Sequence, residues 1–145
     1  MRLVLDSNVW LDWLFFDDPG VAGIKRAHQE GRIEIVVDAA CRDELVRVLG
    51  YRQFALDPPG QASALAAADR LWTFLDELDY PPPASLPFCS DSDDIKFLAL
   101  ASASQADWLI TKDKALLGKV RQRKRDNVAY RIVTPQQWDL LQQQA

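Results

Sequence analysis

The sequence predicts an α/β fold, a central parallel sheet flanked by helices, on three observations. Short aliphatic or β-branched runs alternate with longer stretches of helical periodicity. The runs are apolar throughout instead of at every second residue, as strands buried on both faces are. Polar and acidic residues follow where the runs end. With 145 residues, 48% of them hydrophobic, the chain has the size of one domain around one core, and 1–145 is expected to be a single domain.

The first strand is Leu3-Val4-Leu5, stopped by Asp6-Ser7-Asn8. A helix over Val9 to Phe16 is broken by Asp17-Asp18-Pro19-Gly20, and a second over Val21 to Gln29 ends near Gly31. Ile33 to Val37 reads as a strand and Ala39 to Leu49 as an amphipathic helix. The next helix is expected from Gln61 to Leu78, between Asp57-Pro58-Pro59-Gly60 and the run Pro81-Pro82-Pro83. The acidic cluster Asp91-Ser92-Asp93-Asp94 opens a helix reaching Ala103. Then come a strand over Trp108 to Thr111, a short helix over Ala115 to Val120, a strand over Val128 to Val133, and a helix with Pro135 at its first position.

Composition excludes several classes of function. The start Met1-Arg2-Leu3-Val4-Leu5-Asp6 leaves no room for a secretion signal, and no later stretch has the ~20 apolar residues of a membrane span, so a cytoplasmic protein is expected. Cys41 and Cys89 are too few for a disulfide framework or a zinc site and are expected to be reduced thiols. His28 is the only histidine and reads as lying on a surface-facing helix; it excludes a ribonuclease built on two histidines. No Gly-x-Ser-x-Gly sequence accompanies it, which removes a serine triad. The five tryptophans are assigned to packing rather than to base stacking.

Ligands of open parallel sheets bind beyond the carboxyl ends of the strands, the rim that helices leave uncovered. Asp6 and Asp113 follow strands directly, and Glu44 and Asp94 lie early in helices. Within its helix Glu44 borders the apolar stripe of Cys41, Leu45 and Val48, whereas Asp43 lines up with Arg47 as an exposed pair. Asp94 shares a face with Phe97, Leu98 and Ala101, which turns it toward the protein. Read singly, each acid also fits a helix cap or a dipole partner. Together they form a set that repels itself unless cations compensate it, and oxygen donors favour Mg²⁺ or Mn²⁺.

These residues carry a resemblance. Leu3-Val4-Leu5-Asp6-Ser7-Asn8-Val9 resembles the opening motif of PIN domains, and Asp43-Glu44-Leu45-Val46-Arg47-Val48-Leu49 the second. Cys89 to Ala101 is similar to the third motif in the branch associated with toxin–antitoxin pairs, and Ala106 to Asp113 to the fourth. The resemblance implies a three-layer PIN-like fold, dependence on Mg²⁺ or Mn²⁺, hydrolysis of RNA, and a cognate antitoxin as partner. Relatives often carry a third consecutive acid where this chain has Ile95, so Asp93 and Asp91 stand as second choices for the third ligand after Asp94.

The resulting expectation is a metal-dependent endoribonuclease. Asp6, Glu44, Asp94 and Asp113 hold one or two ions, Asn8 and Thr111 orient these ligands, and a water attacks the phosphate in line to leave a 3′ hydroxyl and a 5′ phosphate. Residues 112 to 131 hold eight of the 17 basic residues against Asp113 and Asp126, a net charge of +6 in a chain of net −4. Lys112, Lys114, Arg121, Arg123, Lys124 and Arg125 are therefore the candidate RNA contacts, with a solvated loop as the plainer alternative. The aromatic run Trp10, Trp13, Phe15 and Phe16 offers a surface for a homodimer or for the antitoxin. Two competing readings stand: a non-catalytic PIN or receiver-like binding module, and a phosphotransferase forming an aspartyl-phosphate on Asp6. Asn8 occupies the place where such phosphotransferases usually have a second Asp.

Overall fold

The computed structural model describes residues 1–82, 86, 92–118 and 130–144. Five parallel strands, β1 (Arg2–Leu5), β2 (Glu34–Val37), β3 (Thr73–Phe74), β4 (Trp108–Ile110) and β5 (Arg131–Val133), form one sheet in the order β3-β2-β1-β4-β5. The helices are α1 (Ser7–Leu11), α2 (Ala22–Gln29), α3 (Ala39–Leu49), α4 (Pro58–Leu71), α5 (Ser92–Ala103), α6 (Lys114–Leu117) and α7 (Pro135–Gln143), giving the three-layer α/β arrangement. Leu3, Val4, Leu5, Ile35, Val36, Val37, Leu109, Ile110 and Ile132 are all buried, so successive residues are covered on both faces, the burial that the unbroken apolar runs encode.

Strand order places the site. The chain steps from β1 outward to β2 and β3, then returns to the other flank of β1 with β4 and β5. The order therefore reverses between β1 and β4, and the crevice beyond their carboxyl ends is where ligands of such sheets bind. The Asp6 amide donates to the Ile110 carbonyl at 3.0 Å, which holds the two strand ends together at that crevice.

Several elements differ from the sequence expectation. The first helix begins at Ser7, capped by Asp6, and passes into a π-helical turn over Asp12–Phe16 that closes at Asp17 in the left-handed region (φ 48°). A 3₁₀ turn over Pro19–Val21 precedes α2. Helix α4 begins at Pro58, where Asp57 accepts from the Gly60 amide at 2.7 Å, and stops at Leu71, well short of the expected Leu78. Trp72 is extended, and Thr73–Phe74 pair with Val36–Val37 as the edge strand β3. Helix α6 spans Lys114–Leu117 and β5 begins at Arg131, while 119 and 120 of the expected helix and 128 and 129 of the expected strand lie outside the described residues. The C-terminal helix starts as expected, with Pro135 in its first turn and a reciprocal Thr134–Gln137 capping box.

His28 is not surface-facing. It is half-buried, donates from Nε2 to the Leu71 carbonyl at 2.8 Å, and meets the Trp13 ring edge-on, tying α2 to the end of α4. Trp10 stacks on Trp13 (centroids 5.5 Å apart) and meets Trp72 edge-on (5.3 Å), which is packing, as expected of these rings. Cys41 is buried, and desolvation followed by the neighbouring Asp38 pushes its thiol well above its ordinary range, so it stays protonated. Cys89 lies outside the described residues. Among the described residues no helix is long and apolar enough to cross a membrane.

Candidate metal centre

Asp6 leaves β1 in an extended conformation and caps α1, which turns its carboxylate back over the strand end. It is 4% exposed. Oδ1 accepts from the Asn8 backbone amide at 3.2 Å and Oδ2 from the Thr111 hydroxyl at 2.5 Å. Burial raises its pKa above the ordinary 3.8, and the negative charge of Asp113 raises it further. The hydrogen bonds from Thr111, Asn8 and Ser7 oppose both effects.

Thr111, fully buried just past β4, links two of the acids. Its hydroxyl donates to Asp6 and accepts from the Asp113 amide at 2.9 Å. Asp113 in turn caps α6, with Oδ1 accepting from the Ala115 amide at 2.7 Å. Thr111 thus reaches Asp6 with its side chain, whereas Asn8 contributes only its backbone amide there and is itself exposed.

Glu44 is fixed by its helix. Asp38, itself buried, caps α3 by accepting from the Cys41 amide at 2.9 Å and accepts from the Tyr80 hydroxyl at 2.7 Å. Further along the helix, Glu44 Oε2 accepts from Lys96 Nζ of α5 at 3.0 Å and from the Arg47 guanidinium one turn on along α3. Arg47 thus pairs with Glu44, three residues before it, where the sequence reading lined it up with Asp43. Asp94, in the first turn of α5, is 7% exposed, and its neighbours Phe97, Leu98 and Ala101 are buried as the periodicity requires.

Asp6, Glu44, Asp94 and Asp113 line one cavity of about 220 Å³, together with Ser7 and Asn8, and Val48, Phe54 and Phe97 form its apolar wall. Larger hollows lie elsewhere, of about 450 Å³ beside the Arg42–Asp69 ion pair and about 430 Å³ along β5 and α7, but neither gathers the sequence-predicted acids. Among the described residues no three acid, histidine or cysteine side chains stand close enough to form a ready-made cation cage. The donors still suit a hard divalent ion in kind: all are oxygens, and Asp6 and Asp113 are close enough for the charge of Asp113 to raise the Asp6 pKa.

The other site residues divide. Lys112 pairs with Asp12 at 2.6 Å, and that acid, which no sequence pattern singles out, is 5% exposed. Lys114 is exposed on α6. Arg121, Arg123, Lys124, Arg125, Asp91 and the side chain of Asp93 lie outside the described residues. Ser7, to which the sequence reading gives no role, also lines the cavity, and its buried hydroxyl has no hydrogen-bond partner among the described residues. The i,i+3 spacing of Glu44 and Arg47 is readable in the sequence; the Lys96 contact, 52 residues away, is not.

In comparison with known proteins, a PIN domain family model matches residues 2–115. VapBC2 from Rickettsia felis, solved bound to a DNA fragment from their promoter, superposes with a TM-score of 0.64 at 12% identity, covering 92% of this chain and 98% of that one. PAE2754 from Pyrobaculum aerophilum does so with a TM-score of 0.56 at 14% identity, covering 92% and 83%. At such identities the likeness is one of fold. None of the curated proteins matches the chain. The family match runs from β1 into α6 and so takes in every element that brings an acid to the cavity; the chain belongs to the PIN-domain family.

Proposed function

We propose that this protein is a Mg²⁺- or Mn²⁺-dependent endoribonuclease and the toxin of a toxin–antitoxin pair. The observation that carries the reading is that four carboxylates, from four separate segments, line one cavity at the switch point of a parallel sheet. Asp6, Glu44, Asp94 and Asp113 would hold the metal, whose chemistry when bound is to acidify water and offset charge on the scissile phosphate. Thr111 orients Asp6 and fixes the Asp113 backbone. The basic stretch that begins beside Asp113 would hold the RNA backbone, since an acidic cavity alone repels it. VapBC2, similar in fold, supports a protein antitoxin as the partner.

The test is cleavage of single-stranded RNA by the parent and by Asp6→Asn, with the product ends identified. Metal-dependent cleavage leaving 3′ hydroxyl and 5′ phosphate ends, lost in Asp6→Asn, supports the reading. Near-normal cleavage by pure Asp6→Asn overturns it. A second reading, a PIN scaffold that binds RNA without cutting it, draws on the ion pairs that already occupy Glu44. Tight RNA binding with no new ends in either metal would favour it.

A further inference from the structure

Glu44 differs electrically from the acids across the cavity. Its Oε2 accepts from two cations, Lys96 and Arg47. Asp6 and Asp113 meet only uncharged donors among the described residues: the Thr111 hydroxyl and the Asn8 and Ser7 amides for one, the Ala115 amide for the other. The Glu44–Lys96 contact is also sheltered, with the two side chains 10% and 23% exposed, so solvent and salt screen it weakly. Arg47, at 49%, is the more exposed helper.

A divalent ion drawn to Glu44 would meet an ammonium and a guanidinium already on that carboxylate, and like charges at such spacing repel strongly where solvent is excluded. At Asp6 and Asp113 the reverse holds: Thr111 ties Asp6 to the Asp113 backbone, no side-chain cation pairs with either carboxylate among the described residues, and an added cation would offset the charge of both. We infer that the cavity takes a single divalent ion on the Asp6–Asp113 side, and that Lys96, aided by Arg47, is a fixed counter-cation standing in for a second ion at Glu44. The inference rests on the metal-dependent reading above and narrows its ligand set, leaving Glu44 to its two cations instead of to the ion. Lys96 is on these terms a positioning residue: it holds Glu44 and supplies a positive charge that is always present.

The experiment is a Mn²⁺ titration of the full chain by calorimetry and electron paramagnetic resonance, without RNA, for the parent, Lys96→Arg, the double variant Lys96→Met/Arg47→Met, and Asp6→Asn. The expected result is one Mn²⁺ per chain in the parent and in Lys96→Arg, and two in the double variant, with the resonance signature of two exchange-coupled ions. Asp6→Asn should bind at least tenfold more weakly. Two ions in the parent, or one ion in a double variant whose circular dichroism shows it folded, would overturn the inference while leaving the metal reading intact. A parent that takes up no Mn²⁺ would overturn both.

Discussion

At the scale of single residues, the candidate site is a set of opposed tendencies that pH separates. Because the folded-state pKa of Asp6 is raised, ionised Asp6 destabilises the fold above that pKa; the penalty fades as pH falls through it and is gone below the unfolded value near 3.8. In metal-free protein, Asp6→Asn should therefore melt higher than the parent at pH 7, and the gap should close as the melts are repeated toward pH 4. A constant gap would mean that the gain has a source other than charge. Thr111→Val keeps the shape of the side chain but removes the donor to Asp6 and the acceptor for the Asp113 amide. Losing buried hydrogen bonds of this kind costs about 1–3 kcal/mol, to be read from urea unfolding. Carboxyl NMR titration of the same variant should find the Asp6 pKa higher still, since Thr111 is the chief group holding it down.

At the scale of elements, the helix that carries Glu44 depends on one buried cap. Asp38→Ala removes the acceptor for the Cys41 amide and strands the Tyr80 hydroxyl, so a loss of about 1–2 kcal/mol is expected, as a lower urea midpoint at unchanged slope. A change below about 0.5 kcal/mol would show that water replaces both bonds. Element by element, legibility in the sequence follows how local the cause is. Helix α3 is legible with its observed bounds because strand, cap and periodicity all lie in adjacent sequence. The end of α4 is not, because Thr73–Phe74 become a strand only by pairing with Val36–Val37, and two residues show no periodicity of their own. The cavity acids are legible for the same local reason as α3, each standing at a strand end or an early helical turn. The long-range ion pairs are not: Lys96 meets Glu44, and Lys112 meets Asp12, only through the tertiary fold.

At the scale of the whole molecule, the chain joins a negative total charge to one concentrated positive stretch, and that division bears on how RNA would be held. The residues from 112 to 131 carry a net +6 while the rest of the chain carries −10. Within the stretch, Lys112 is already committed to the buried Asp12, so phosphate binding would fall to Lys114 and to Arg121, Arg123, Lys124 and Arg125. Replacing Arg121, Arg123, Lys124 and Arg125 by Ala in an Asp6→Asn background, where nothing is cut, should weaken single-stranded RNA binding for every sequence tried. It should also flatten the dependence of affinity on salt, by a slope of ~0.7 for each phosphate that is no longer neutralised. Restoring Asp6 and saturating the fourfold variant with RNA should leave the cleavage rate within about threefold of the parent, because side chains that hold the backbone add equally to ground and transition states. Equal salt slopes in the two Asp6→Asn proteins would return these four residues to the solvated-loop alternative and leave Lys114, on the exposed side of α6, as the nearest cation to test next.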